Sequence, residues 1–144
     1  MSPEHSRTLF QQCFAAEMTE LPRIKTLVLD ALGQAGWCGD DLGRFELVLE
    51  EGVVNIVTYA YPGKSGEVMV TLSTIEGGVL LRLEDTGIPF DPVAVPAPDL
   101  DAPADDRPLG GQGVYLMKQL SSGVAYRREM EKNVLDVVMK RTLN

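Results

Sequence analysis

Glu51 and Asn55 stand four residues apart in the run Glu51-Gly52-Val53-Val54-Asn55. On a helix that spacing puts a carboxylate and an amide on one face. A carboxylate at the edge of a core can act as general base toward a water or a hydroxyl. An amide oxygen beside it can ligate Mg²⁺, a hard ion that takes oxygen ligands and is often shared with substrate phosphates. Glu46 and Glu50 compete for the role of base, but Glu50 points ~100° away around the helix and Glu46 has no amide four residues on.

Two further motifs follow in order. Asp85-Thr86-Gly87-Ile88-Pro89 closes an apolar alternating run. A buried aspartate there can accept a hydrogen bond from the exocyclic amine of adenine, and Gly87 lets a ring approach the backbone. Gly110-Gly111-Gln112-Gly113 opens a helical pattern, and glycines at a helix start expose backbone N–H groups at its positive end, which suits phosphate. No Lys-Ser/Thr pair follows these glycines, so they are not a P-loop, and no strand precedes them, so they are not a dinucleotide fingerprint. Taken singly, the three motifs read more readily as a solvated helix surface, a strand-ending turn and a flexible hinge. Their order in one chain points to a nucleotide pocket.

The elements that must position these groups can be read from periodicity. Residues 7–17 form a strand with Phe10, Gln12 and Phe14 on one face. Residues 20–36 form a helix on the stripe Leu21, Ile24, Val28, Ala31, Ala35, with Thr19 as its cap and Gly36 as its stop. Asp40 or Asp41 caps a second helix, 40–60, striped by Leu42, Phe45, Leu49, Val53, Ile56 and Val57, and Tyr61-Pro62-Gly63 ends it. Residues 66–75 and 79–85 alternate as strands around a Glu76-Gly77-Gly78 turn. Pro89, Pro92, Pro96, Pro98, Pro103 and Pro108, with Asp99, Asp101, Asp105 and Asp106, make 88–109 a long mobile loop, of the kind that serves as a lid. A helix over 112–121 follows, then strands 123–131 and 133–142 around Lys132-Asn133. Two helices before a hairpin imply an α+β fold, a two-layer sandwich with helices on one face of a mixed, mostly antiparallel sheet.

The chain has 144 residues, 44% hydrophobic and 24% charged, enough for one domain (1–144) and too few for two. Its net charge of −8 argues against direct nucleic-acid binding. No apolar run approaches the ~18 residues that span a bilayer, and the start Met-Ser-Pro-Glu-His carries no leader pattern, so no membrane association and a cytoplasmic location are expected. Cys13 and Cys38 fit no metal spacing and are expected as buried thiols rather than a disulfide. His5 is expected to be inert, Trp37 to pack at the helix connection, the methionines to fill core, and Tyr126-Arg127-Arg128 to be a solvated strand face.

The three motifs together resemble the N, G1 and G2 boxes of the Bergerat ATP-binding fold (the histidine-kinase-like ATPases), and within it the small bacterial anti-sigma-factor serine/threonine kinases. The first box with Tyr59-Ala60-Tyr61-Pro62 after it, the run Asp85-Thr-Gly-Ile-Pro-Phe-Asp-Pro92, and the lack of a phosphoacceptor helix pair carry the likeness, which covers about residues 8–141. The resemblance implies ATP and Mg²⁺ as cofactors, Glu51 as catalytic base and Asn55 as Mg²⁺ ligand. It implies Asp85 and Gly87 at adenine, Gly110, Gly111 and Gly113 along the triphosphate, and Arg107 near the γ-phosphate in an ATP lid of residues 88–109. It also implies a sigma factor and a small serine-bearing antagonist as partners, with a homodimer through the edge of the first strand. The chain departs from the family pattern at Gly52, where alanine is usual, at Tyr59-Ala60, where His-Gly is usual, and in its acidic lid. A nucleotide-gated binding module with little kinase activity is the alternative, and the catalytic domain of a split histidine kinase a third reading.

Overall fold

In the computed structural model, residues 6–92 and 111–142 are described, with backbone alone for 111–115. Five alternating segments pair edge to edge: β1 (Thr8–Ala15), β2 (Glu67–Ile75), β3 (Gly78–Asp85), β4 (Gly123–Glu129) and β5 (Lys132–Lys140). They form one sheet in the order β1-β2-β3-β5-β4, antiparallel at all four pairings. The sheet expected to be mostly antiparallel is therefore antiparallel throughout its described strands.

Side chains alternate across a strand, so register decides which residues share a face. Phe10, Leu72, Leu81, Val137 and Val124 form one cross-sheet row, and Gln12, Val70, Leu83, Leu135 and Tyr126 the next. A third row runs from Phe14 through Val68 and Asp85 to Asn133. The apolar members of these rows join the inner stripes of α1 (Leu21–Gln34) and α2 (Gly39–Tyr59) in one core. Ile24, Val28 and Leu32 come from α1, and Phe45, Leu49 and Val53 from α2, each fully buried and each worth about 1.5–3 kcal/mol of transfer free energy. α3 (Gly111–Leu120) packs on α2 and plants Met117 in the same core. The opposite sheet face is polar, where Arg82 donates through Nε to Asp136 Oδ1 at 2.7 Å and Arg127 joins the same carboxylate.

Several local expectations are corrected. Thr19 does not cap α1: Met18–Glu20 is a 3₁₀ turn, Glu20 stands at the cap position, and Pro22 supplies the first-turn geometry. Asp40 and Asp41 do not cap α2 either. Cys38 holds that position, and both aspartates fall in the first turn, where their charge suits the helix dipole. Asp41 instead pairs with Arg44 and accepts the Thr142 hydroxyl at 3.0 Å, tying the chain's end to α2. Both cysteines are free but exposed rather than buried, because Cys13 lies on the polar sheet face and Cys38 between helices. Met117 and Met139 fill core, whereas Met18 and Met130 are exposed. Gly36 ends α1 at φ +99°, and Trp37 packs edge-on against Phe45 at the helix connection, both as expected. No described helix is long and apolar enough to cross a membrane.

Candidate functional site

The inner face of α2, the ends of β3 and β5, and the chain just after β3 enclose a small cleft of about 20 Å³. That is room for about one water molecule. Its wall is apolar (Ile56, Leu83, Leu135, Phe90) with three buried polar side chains, Asn55, Asp85 and Asn133, converging on it.

Asn55 sits on the buried side of α2, 3% exposed, and neither its Oδ1 nor its Nδ2 has a hydrogen-bond partner among the described residues. An amide left so costs about 1–3 kcal/mol, and buried polar groups are paired in the great majority of cases. Such an amide has the chemistry of a ligand site, since its oxygen is the donor type that a hard cation such as Mg²⁺ takes. Glu51, the preceding residue on that face, is half-buried and does not itself line the cleft. Burial, and then the charge of Glu50, push its carboxyl above the usual glutamate value. A glutamate so placed holds its proton more readily than a solvated one, the direction a general base near neutrality requires.

Asp85 ends β3 at 6% exposure. Its Oδ1 accepts from the Gly87 N–H at 2.9 Å and from Asn133 Nδ2 at 2.8 Å, and no hydrogen bond to Oδ2 is present among the described residues. Burial pushes this carboxyl up, while the Asn133 and Gly87 bonds and the Arg128 charge oppose the rise. The free oxygen is an acceptor in an apolar cleft, the type of group that reads an amine. Gly87 is required by packing: a Cβ there would lie 2.1 Å from the Ala60 carbonyl oxygen, at the end of α2. The Ile88 N–H donates to that same oxygen at 2.9 Å, so the chain leaves β3 pressed against the helix end.

Residues within and just after the first box have structural roles. Tyr59 stacks on Phe90 with ring centres 4.7 Å apart, forming one lip of the cleft. The Tyr61 hydroxyl donates to the Glu67 carbonyl at 2.6 Å and accepts the Thr86 N–H at 2.9 Å, which clips the end of α2 to β2 and to the residue after β3. At Gly52 a Cβ would meet Leu83 Cδ1 at 2.5 Å, so the smaller residue makes room for Leu83 in the cleft wall.

Gly111 and Gly113 fall in the first turn of α3, where backbone N–H groups lack partners within the helix. Gly110 and Arg107 lie outside the described residues, as does 93–109 of the expected lid. The structure thus brings Asn55 and Asp85 to one cleft, with Glu51 on the adjoining helix surface, while Gly87 is bonded to Asp85 but lies outside the cleft lining. Sequence reading missed Asn133, which it placed in a hairpin turn. The turn is Met130-Glu131, and Asn133 lies in β5 opposite Asp85. The alternation of Leu135, Val137 and Met139, continued two residues back, marks Asn133 as inward-facing and was the available signal. Tyr126 and Arg128 also prove not to be purely solvated: the Tyr126 hydroxyl donates to Asn133 Oδ1 at 2.6 Å, and Arg128 Nη1 donates to the Gly87 carbonyl at 2.8 Å.

A two-layer sandwich with an apolar-walled cleft holding a few polar groups between α2 and the sheet is the architecture of a Bergerat-type ATPase domain. The family model for the histidine kinase-like ATPase domain matches residues 14–139, and the chain belongs to that family. Among curated proteins it is similar to the serine/threonine-protein kinase BtrW of Bordetella bronchiseptica, 34% identical over 88 residues, which are 59% of this chain and 62% of that protein. The match therefore spans somewhat under two thirds of that relative's length. The chain is also similar to the serine-protein kinases RsbW of Bacillus thuringiensis and Bacillus anthracis, each 24% identical over 116 residues, 78% of this chain and 72% of the relative.

Proposed function

We propose that this protein is an ATP-dependent regulatory protein serine/threonine kinase of the anti-sigma-factor type. On this reading it binds a sigma factor and phosphorylates a serine on a small antagonist of that binding. The observation that carries the nucleotide part is the cleft that joins Asp85 to Asn55, with Asp85 Oδ2 and the Asn55 amide unbonded among the described residues. The kinase part is supported by the names of the relatives, serine and serine/threonine kinases, and by retention of Glu51 one turn from Asn55.

The roles then follow from chemistry. Asp85 accepts the adenine amine, with the Gly87 turn holding the chain clear of the ring. Asn55 holds Mg²⁺ through Oδ1, and the ion supplies charge neutralisation to the phosphates. The N–H groups in the first turn of α3, at Gly111 and Gly113, receive the triphosphate, with Gly110 contributing from just before the helix. Glu51 takes the proton of the attacking serine hydroxyl, and positioning does the rest, since phosphoryl transfer asks little covalent chemistry of the protein. Arg107 faces the γ-phosphate from a lid formed by 88–109, and the whole of 1–144 acts as one cytoplasmic domain that pairs with a second copy along the β1 edge.

Calorimetric titration with ATP and ADP, with and without Mg²⁺, tests the reading on wild type and Asp85→Asn. Micromolar, Mg²⁺-dependent binding that the substitution abolishes supports it. No binding by the wild type overturns it and leaves a scaffold that acts through protein contacts alone.

A further inference from the structure

Among the described residues, Asn133 makes more hydrogen bonds than any other side chain near the cleft. Its Nδ2 donates to Asp85 Oδ1 at 2.8 Å and to the Ile88 carbonyl at 2.7 Å. Its Oδ1 accepts from the Tyr126 hydroxyl at 2.6 Å, from Arg128 Nη1 at 3.2 Å and from the Phe90 N–H at 3.4 Å. The amide orientation is dictated by its neighbours. A carboxylate oxygen and a carbonyl can only accept, while a guanidinium and a backbone N–H can only donate. With its side chain 5% exposed, Asn133 has no cheap alternative rotamer or solvent partner.

Two consequences follow. Asp85 Oδ1 is saturated by Asn133 and Gly87, which fixes the plane of the carboxylate and leaves the other oxygen as the acceptor presented to a ligand. The same amide grips the chain at Ile88 and Phe90, the root of the segment that follows β3. Phe90 lines the cleft and stacks on Tyr59. Resting on the nucleotide site proposed above, we infer that Asn133 is a positioning residue for base recognition. It orients Asp85 toward the 6-amino group of a purine and ties that carboxylate to the backbone at Ile88–Phe90, so that reading the base and ordering the root of the following segment are one event.

The test compares ATP with purine riboside 5′-triphosphate, which lacks the 6-amino group, on wild type and Asn133→Ala by calorimetry with Mg²⁺. Wild type should prefer ATP. In Asn133→Ala the affinity for ATP should fall about tenfold while that for the purine analogue changes less than about twofold, so the preference collapses. A purely structural loss would weaken both ligands together. In the same variant the Phe90 amide should lose hydrogen-exchange protection in the ATP complex. If Asn133→Ala does not fold, Tyr126→Phe carries the test: it removes the donor that braces Asn133 Oδ1 and should narrow the preference by a smaller factor. A wild-type preference that survives these substitutions overturns the inference while leaving the nucleotide site standing. A wild type that binds neither triphosphate overturns both.

Discussion

At the scale of single residues, the cleft and the helix surface beside it hold groups whose burial serves no stabilising purpose of its own. Asn55 has lost water and gained no partner among the described residues. Glu51 has lost part of its water, and the charge of Glu50 adds to the penalty on its ionised form. The sign of the linkage is fixed by that direction. A carboxyl whose folded pKa lies above its unfolded value favours folding when neutral, so the contribution is complete below the unfolded pKa and lost as pH rises through the folded one. Glu51→Gln should therefore unfold at a higher temperature than wild type at neutral pH, in a thermal melt. Phosphoryl transfer should fall by about 10²–10⁴-fold, the usual worth of a general base, with ATP affinity retained. In wild type the acid limb of the transfer rate should lie at higher pH than a solvated glutamate would give, since protonation removes the base. A pH–rate profile reads this directly, and Glu51→Gln at an unchanged melting temperature and full rate would remove the residue from the chemistry.

At the scale of elements, the β4–β5 turn shows where local chemistry and topology part. Its central residues are Met130 and Glu131, at φ +49° and +65°, with Glu129 paired to Lys132. A two-residue turn with both φ positive calls for Asn-Gly or similar, and side-chained residues there are strained by about 1 kcal/mol or more each. Replacing Met130-Glu131 with Asn-Gly should raise the melting temperature by about 2–4 °C for each kcal/mol of strain relieved, as a thermal melt would show. The same mismatch explains what sequence reading lost. The only turn-favouring residue in that stretch is Asn133, so the turn was placed two residues late and the inward side chain went unseen. The helices were legible because their apolar stripes are long: the expected 20–36 and 40–60 became Leu21–Gln34 and Gly39–Tyr59. Their caps were not, since no side chain caps the start of either helix and a cap rule presumes one. Of the cleft, Asn55 and Asp85 were readable from spacing, and Gly87 as the residue bonded to Asp85. The clips made by Tyr61, the Tyr59–Phe90 lip and the Asn133 hub depend on register across distant strands, which no local pattern encodes.

At the scale of the molecule, the cleft lies between the two layers, walled by α2 on one side and by β3 and β5 on the other. A ligand seated there touches both layers at once and is bound by the folded state alone, because the unfolded chain does not bring Asn55 to Asp85. Binding must then raise stability by mass action, by about 2.7 kcal/mol at a hundredfold excess of ligand over its dissociation constant. For a chain of this length each kcal/mol moves the melting temperature by about 2–4 °C, so saturating Mg²⁺-ATP should raise it by about 5–10 °C. Because the cation would be held through Asn55 and the base through Asp85, removing either should erase most of the shift: EDTA with wild type on one side, Asp85→Asn with Mg²⁺ on the other. The two losses separate the ends of the cleft, since adenosine alone should still stabilise the EDTA-treated wild type weakly and should do nothing for Asp85→Asn. A shift in wild type that neither treatment diminishes would put the nucleotide elsewhere, on a surface that does not require the two layers to be joined.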